Sequence, residues 1–128
     1  MVLLLDTHIL LWALDTPGRL PAEVVNHIEI PENEVYFSAV SIWEIAIKTA
    51  LRKIDFGYSP QQIAQAAREA GFTELLITSE QAAKVAALPF HHHDPFDRLL
   101  IAQALLMPAR LLTTDSALEQ YSELVWLI

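Results

Sequence analysis

The chain has 128 residues, 53% of them hydrophobic, and sixteen acids against eight bases give a formal net charge of −8. That length supports one hydrophobic core without staples, and the absence of cysteine excludes thiol chemistry, disulfide frameworks and cysteine-based zinc sites. The acidic balance argues against a general nucleic-acid binder, whose affinity comes from excess Lys and Arg, yet it suits a site that gathers carboxylates around a cation.

The first predicted element is a strand, VLLL at 2–5, closed by Asp6. Four apolar residues without a basic flank are too few for a signal peptide, and no run approaches the roughly 18 apolar residues of a membrane span. A cytoplasmic protein without membrane contact is expected. Helices are predicted over His8–Leu14 and Pro21–Ile30, then a strand at 35–37. A helix over Ile42–Ile54 follows, with an apolar stripe at Trp43, Ala46, Ile47, Ala50, Leu51 and Ile54 and an S-x-x-E capping box at Ser41 and Glu44. Gln61–Ala70 reads as a helix stopped by Gly71, and 74–77 as a strand. Ser79–Ala87 and Pro95–Leu106 read as helices, the second apolar almost all round. Strands at 109–113 and 124–127 flank a short helical turn after Asp115. The strands are short continuous apolar runs, as buried parallel strands are. Their alternation with helices implies one α/β domain over 1–128, a mostly parallel sheet with helices on both faces, and a ligand crevice along the carboxyl edge of the strands. A mean hydropathy of +0.32 is high for a soluble chain of this size and points to apolar surface that a partner covers.

Four acids fall at predicted helix starts: Asp6, Glu44, Asp97 and Asp115. Each alone has an ordinary explanation, because acids near helix N-termini satisfy free amides and the helix dipole. Asp94 fits an N-cap, with Pro95 at N1 and Asp97 at N3. TSEQ at 78–81 makes the same point, being a strand–helix junction with a capping box and no reason to be catalytic. Convergence changes the reading. Four carboxylates in one crevice raise one another's pKa and need a cation, for which Mg²⁺ or Mn²⁺ is the natural choice.

Glu44, Lys48 and Arg52 are spaced four apart, either a surface ladder of ion pairs or a basic track that holds phosphate. Arg98 has the same two readings, and His8, two residues after Asp6, could contact substrate, although the sequence gives it no partner. His91–His93 lack the spacing of a helical zinc motif and read as a solvated loop. Phosphate-binding glycine loops and nucleophile elbows are absent. A phosphatase with D-x-D after the first strand is disfavoured, since the residues there are Asp6, Thr7 and His8. A receiver domain would need a lysine after a late strand, and Lys84 is the last.

Four dispersed stretches, LLLDTHILLWAL, SAVSIWEIAIK, HHHDPFDRLLIAQA and LLTTDSAL, occur in an order that resembles the PIN domains, specifically the VapC-type toxins of type II toxin–antitoxin pairs. The resemblance spans nearly the whole chain. It implies a three-layer α/β/α fold with a mostly parallel five-stranded sheet, and Mg²⁺- or Mn²⁺-dependent cleavage of RNA through one or two ions. Its four acids fall on Asp6, Glu44, Asp97 and Asp115. It further implies a homodimer held inactive by a cognate antitoxin. His93 departs from the basic residue that related sequences carry before D-P-F-D-R. A catalytically inactive PIN-like binding module is the rival reading.

Overall fold

The computed structural model describes residues 1–128. The chain runs β1 (Val2–Leu5), α1 (Thr7–Asp15), α2 (Ala22–Glu29), β2 (Glu34–Ser38), α3 (Ala39–Ala50) and α4 (Pro60–Glu69). It continues through β3 (Thr73–Leu75), α5 (Ser79–Lys84), α6 (Pro95–Leu106), β4 (Arg110–Thr113) and β5 (Val125–Leu127), with 3-10 turns at Pro17–Arg19, Val85–Ala87 and Ser116–Tyr121. The strands form one five-stranded sheet in the order β3-β2-β1-β4-β5, and every neighbouring pair is parallel.

Alternate residues of each strand face opposite layers, which is why the strands are apolar throughout. Leu3, Leu5, Val35, Phe37 and Leu112 pack with Ile9, Leu10, Val24, Ile63 and Ala67 from α1, α2 and α4. Leu4 and Leu111 face the other way, onto Leu100, Ile101, Ala104 and Leu118. The two cores together make a three-layer α/β/α arrangement. Each fully buried leucine stabilises the fold by roughly 1.5–3 kcal/mol, and α6, buried along most of its length, closes the second layer.

Several predicted boundaries shift, and one shift matters for the site. α3 starts three residues early, because Ser38 rather than Ser41 is the N-cap and accepts the Val40 amide through its side chain. Glu44 therefore lies in the second turn, beyond reach of the free amides, and the Ser41–Glu44 capping box does not form. The helix also ends at Ala50 and not Ile54. Arg52 takes a left-handed conformation (φ 55°), while the Arg52 and Lys53 amides donate to the Thr49 and Lys48 carbonyls in a Schellman cap. The buried face of α3 is Val40, Ser41, Glu44 and Ile45. The predicted apolar stripe looks outward instead, with Trp43, Leu51 and Ile54 exposed. β3 stops at Leu75, leaving Leu76 and Ile77 exposed beyond it. By contrast α6 spans Pro95–Leu106 as predicted, and the Thr78–Gln81 capping box is present.

The strand order reverses at β1, which has β2 on one side and β4 on the other. Chain segments leaving the carboxyl ends of β1 and β4 diverge there, opening the crevice in which ligands of such sheets bind.

Candidate active site

That crevice is a groove of about 320 Å³ lined by Asp6, Thr7, His8, Glu44, Lys48, His92, Asp94, Asp97, Thr114 and Asp115, without one apolar residue. All four predicted acids reach it, each from a different element. Asp6 caps α1, accepting the Ile9 amide at 2.9 Å, while its own amide donates to the Leu112 carbonyl of β4. Asp115 caps the last 3-10 turn through the Ala117 amide at 3.0 Å. Asp94 caps α6, accepting from Phe96 and Asp97 at 2.8 and 3.1 Å. Capping and lining the groove thus coincide at Asp6, Asp94 and Asp115: a cap occupies one lone pair of a carboxylate and leaves others for the groove.

Glu44 caps nothing. It is only 5% exposed, accepts the Thr7 hydroxyl at 2.6 Å and forms an ion pair with Lys48 one turn along. The Thr7 hydroxyl also pairs with the Ser41 hydroxyl at 3.0 Å. Ser41 therefore serves the groove, fixing the rotamer of Thr7 and through it that of Glu44.

The electrostatics follow from burial. Asp97 is pushed up to about 7 by desolvation and then by the charges of Asp94, Glu44 and Asp6, against which His92 pulls down. Burial also raises Asp6, opposed by the Thr113 hydroxyl and the Ile9 amide. Burial alone would lower Lys48, but the Glu44 hydrogen bond and the charges of Glu44, Asp94 and Asp97 outweigh it and raise it. One half-buried lysine faces five carboxylates. The groove calls for more positive charge than the chain supplies.

Two of the predicted basic contacts are displaced. Arg52, turned out of the helix by its left-handed backbone, is exposed and does not line the groove, so the Glu44–Lys48–Arg52 ladder stops at its first pair. Arg98 neither contacts the groove nor pairs with an acid. It is 5% exposed, donates to the Val85, Leu88, Pro89 and His92 carbonyls and the Tyr121 hydroxyl, and stacks on Phe90. Its role is to hold the loop ahead of α6. His8 is exposed at the rim.

The three histidines do not behave alike. His91 and His93 are exposed, as a solvated loop would have them. His92 is half-buried, with Nε2 2.8 Å from Asp115 Oδ2 and 3.4 Å from Asp97 Oδ2. These three side chains place ligand-type atoms within 4.8 Å of one another, a tighter cluster than any that includes Asp6 or Glu44. Sequence reasoning missed His92 because its neighbours in space, Asp97 and Asp115, lie five and twenty-three residues away. Thr7, whose signal was only its place beside Asp6, was missed as well.

An α/β/α sheet with a polar, carboxylate-lined groove at its switch point defines a class of open parallel-sheet proteins whose ligands bind at the carboxyl edge of the strands. The PIN domain family model matches residues 3–124, and the chain belongs to that family. It is 32% identical over 123 residues to Ribonuclease VapC22 of Mycobacterium tuberculosis, an alignment covering 92% of this chain and 90% of that protein. Its fold is similar to that of VapBC2 from Rickettsia felis bound to a fragment of promoter DNA (TM-score 0.70, 15% identity, 100% of this chain and 98% of that one). It is also similar to VapBC-1 from nontypeable Haemophilus influenzae (TM-score 0.63, 20% identity, 94% and 91% covered).

Proposed function

We propose that the protein is a metal-dependent endoribonuclease acting as the toxin of a toxin–antitoxin pair. The observation that carries this is the apolar-free groove in which Asp6, Glu44, Asp97 and Asp115 meet around the single cation of Lys48. The 32% identity to a ribonuclease over most of the chain supports the same reaction.

The donor set fits Mg²⁺ or Mn²⁺, one ion or two: hard carboxylate oxygens, no sulfur, and an excess of negative charge that adds to burial in lifting the Asp97 pKa. When bound, such an ion supplies Lewis acidity at a phosphate and a water of lowered pKa. Asp6, Glu44, Asp97 and Asp115 would hold it. Thr7 and Ser41 keep Glu44 aimed into the groove, so that this ligand is preorganised and not drawn from a flexible surface side chain. Lys48 is the groove's one ammonium, placed to attract a backbone phosphate, and His8 at the rim is placed to meet a nucleotide beside it. The net charge of −8 is compatible with RNA because neutralising the groove removes the strongest local repulsion.

The outward apolar face of α3, with exposed Trp43 and Leu51 and with Ile54 just beyond, supports a covered surface and hence the antitoxin and the second copy expected as partners. No helix is long and apolar enough to cross a membrane, and RNA as substrate fits a cytoplasmic setting.

The test is cleavage of RNA by partner-free protein in Mg²⁺ or Mn²⁺. Wild type is expected to cleave, chelation to abolish cleavage, and Asp97→Asn to lose about 100-fold or more, since loss of even an outer partner of a metal site costs 10–100-fold. Equal cleavage by both proteins, or none by folded wild type, overturns the reading in favour of an inactive PIN-like module.

A further inference from the structure

Three donor atoms within 4.8 Å, from His92, Asp97 and Asp115, look like a ready ligand set. The hydrogen bonds around the imidazole say otherwise. We propose that His92 is a positioning residue of the groove, an Nε2–H donor that holds the Asp115 carboxylate opposite Asp97, and not a ligand of the cation. This rests on the reading of the groove as a cation site.

The tautomer follows from the other side of the ring. The Asp94 backbone amide lies 3.0 Å from His92 Nδ1. A backbone amide can only donate, so Nδ1 accepts and carries no proton, and the proton of the ring sits on Nε2. Nε2 is the atom that faces Asp115 at 2.8 Å and Asp97 at 3.4 Å. A ring nitrogen that carries hydrogen has no lone pair for a metal. Each carboxylate oxygen, by contrast, has two lone pairs. Asp115 accepts the Ala117 amide at Oδ1 and the His92 N–H at Oδ2 and still has lone pairs left for an ion.

The backbone that carries the ring is also located independently of the acids the ring touches. The His92 amide donates to the Tyr121 hydroxyl at 2.9 Å, and its carbonyl lies 3.4 Å from Arg98 Nη1. Arg98 in turn gathers the Val85, Leu88 and Pro89 carbonyls, so the whole loop is pinned from beneath α6. His91 and His93, on the same loop, have no hydrogen-bonded anchoring of the ring and are exposed. His92 is thus a built support. Its N–H is directed to Asp115 at 2.8 Å, and the same nitrogen stands 3.4 Å from Asp97, between two carboxylates that would otherwise repel.

Nitrogen-15 NMR of the imidazole, in metal-free and in Mg²⁺-loaded protein, reads the tautomer directly. Protonated Nε2 and unprotonated Nδ1 are expected in both. Spin-echo EPR of the Mn²⁺ form is expected to show no directly coordinated nitrogen. Loss of the Nε2 proton on loading, or a coordinated nitrogen, overturns the proposal. His92→Gln, whose carboxamide N–H reaches in the same direction, is expected to bind Mn²⁺ within a few-fold of wild type, and His92→Ala about 10–100-fold more weakly. Equal weakening in both, or unchanged binding in His92→Ala, also overturns it, and the NMR and EPR measurements use wild type and stand even where a variant fails to fold. Mn²⁺ binding with this tautomer but no RNA cleavage would remove the nuclease reading and leave His92 as assigned. Cleavage with a coordinated nitrogen does the reverse, and a wild type that binds no Mn²⁺ removes both.

Discussion

Asp97 shows at one residue how the groove couples protonation to its ligand. Burial and three neighbouring acids lift its pKa from the ordinary 3.8 to about 7. In the metal-free protein the folded state therefore holds this proton more tightly than the unfolded chain does. As pH rises from about 4 to about 7 the unfolded chain ionises first, so stability falls across that window, by about 1 kcal/mol per pH unit and a few kcal/mol in all. Above pH 7 both states are ionised and the trend stops. A bound cation stabilises the ionised form and reverses the preference. Urea unfolding of metal-free protein is expected to give a higher midpoint at pH 5 than at pH 7.5, and Mg²⁺ is expected to raise the midpoint more at pH 7.5 than at pH 5. A metal-free midpoint that climbs with pH between these values would contradict the burial of Asp97 among like charges. At this same scale the sequence was informative about which acids meet and misplaced His92, read as part of a solvated loop but half-buried against Asp115. Periodicity and spacing report neighbours along one element, whereas His92 meets Asp115 only because Arg98 and Tyr121 fix the loop between elements.

The ends of α3 and α4 show what a sequence can and cannot disclose about an element. Both helices close with the same pair of hydrogen bonds, from Arg52 and Lys53 in α3 and from Gly71 and Phe72 in α4. α4 places glycine at the left-handed position (φ 91°), so its stop was legible. α3 places Arg52 there, with no marker in its chemistry, and the helix was read four residues too long. The start of α3 was misread for a related reason. Ser38 and Ser41 are both sound caps, and the choice is made by the fold, which sends the Ser38 hydroxyl to Gln103 Oε1 at 2.6 Å and the Ser41 hydroxyl to Thr7. Two substitutions separate these roles. Arg52→Gly removes a left-handed penalty of about 1 kcal/mol and is expected to raise Tm by a few degrees without changing Mn²⁺ affinity, because Arg52 lies outside the groove. Ser38→Ala removes the cap and strands a buried amide oxygen, at a cost of roughly 2–3 kcal/mol in denaturant unfolding. A neutral Ser38→Ala would restore the later start at Ser41, and an Arg52→Gly that weakens Mn²⁺ binding would restore the longer helix end and its basic ladder.

At the scale of the whole molecule, the parallel sheet is the part most fully written in the chain. Five continuous apolar runs, the first four each followed by a helix or a turn, leave little choice but strands buried on both faces, and the carboxyl edge of such a sheet is where ligands gather. The cost of the arrangement is that the groove concentrates charge in a chain already at −8. On the proposed reading of the groove, function and stability therefore oppose one another at Asp97. At pH 8 the metal-free wild type carries the Asp97 charge against Asp94, Glu44 and Asp6, and Asp97→Asn keeps the shape of the side chain while removing that charge. The substitution is expected to stabilise the metal-free protein by about 1 kcal/mol or more, as relief of strain at an active site does. Mg²⁺ at about 100 times its Kd is expected to stabilise wild type by about 2.7 kcal/mol, or roughly 10 °C in Tm, and to do little for the variant. Thermal unfolding of both proteins with and without Mg²⁺ gives all four values. A variant less stable than wild type without metal would mean that Asp97 is a structural carboxylate, and an equal Mg²⁺ shift in both would place the ion elsewhere in the molecule.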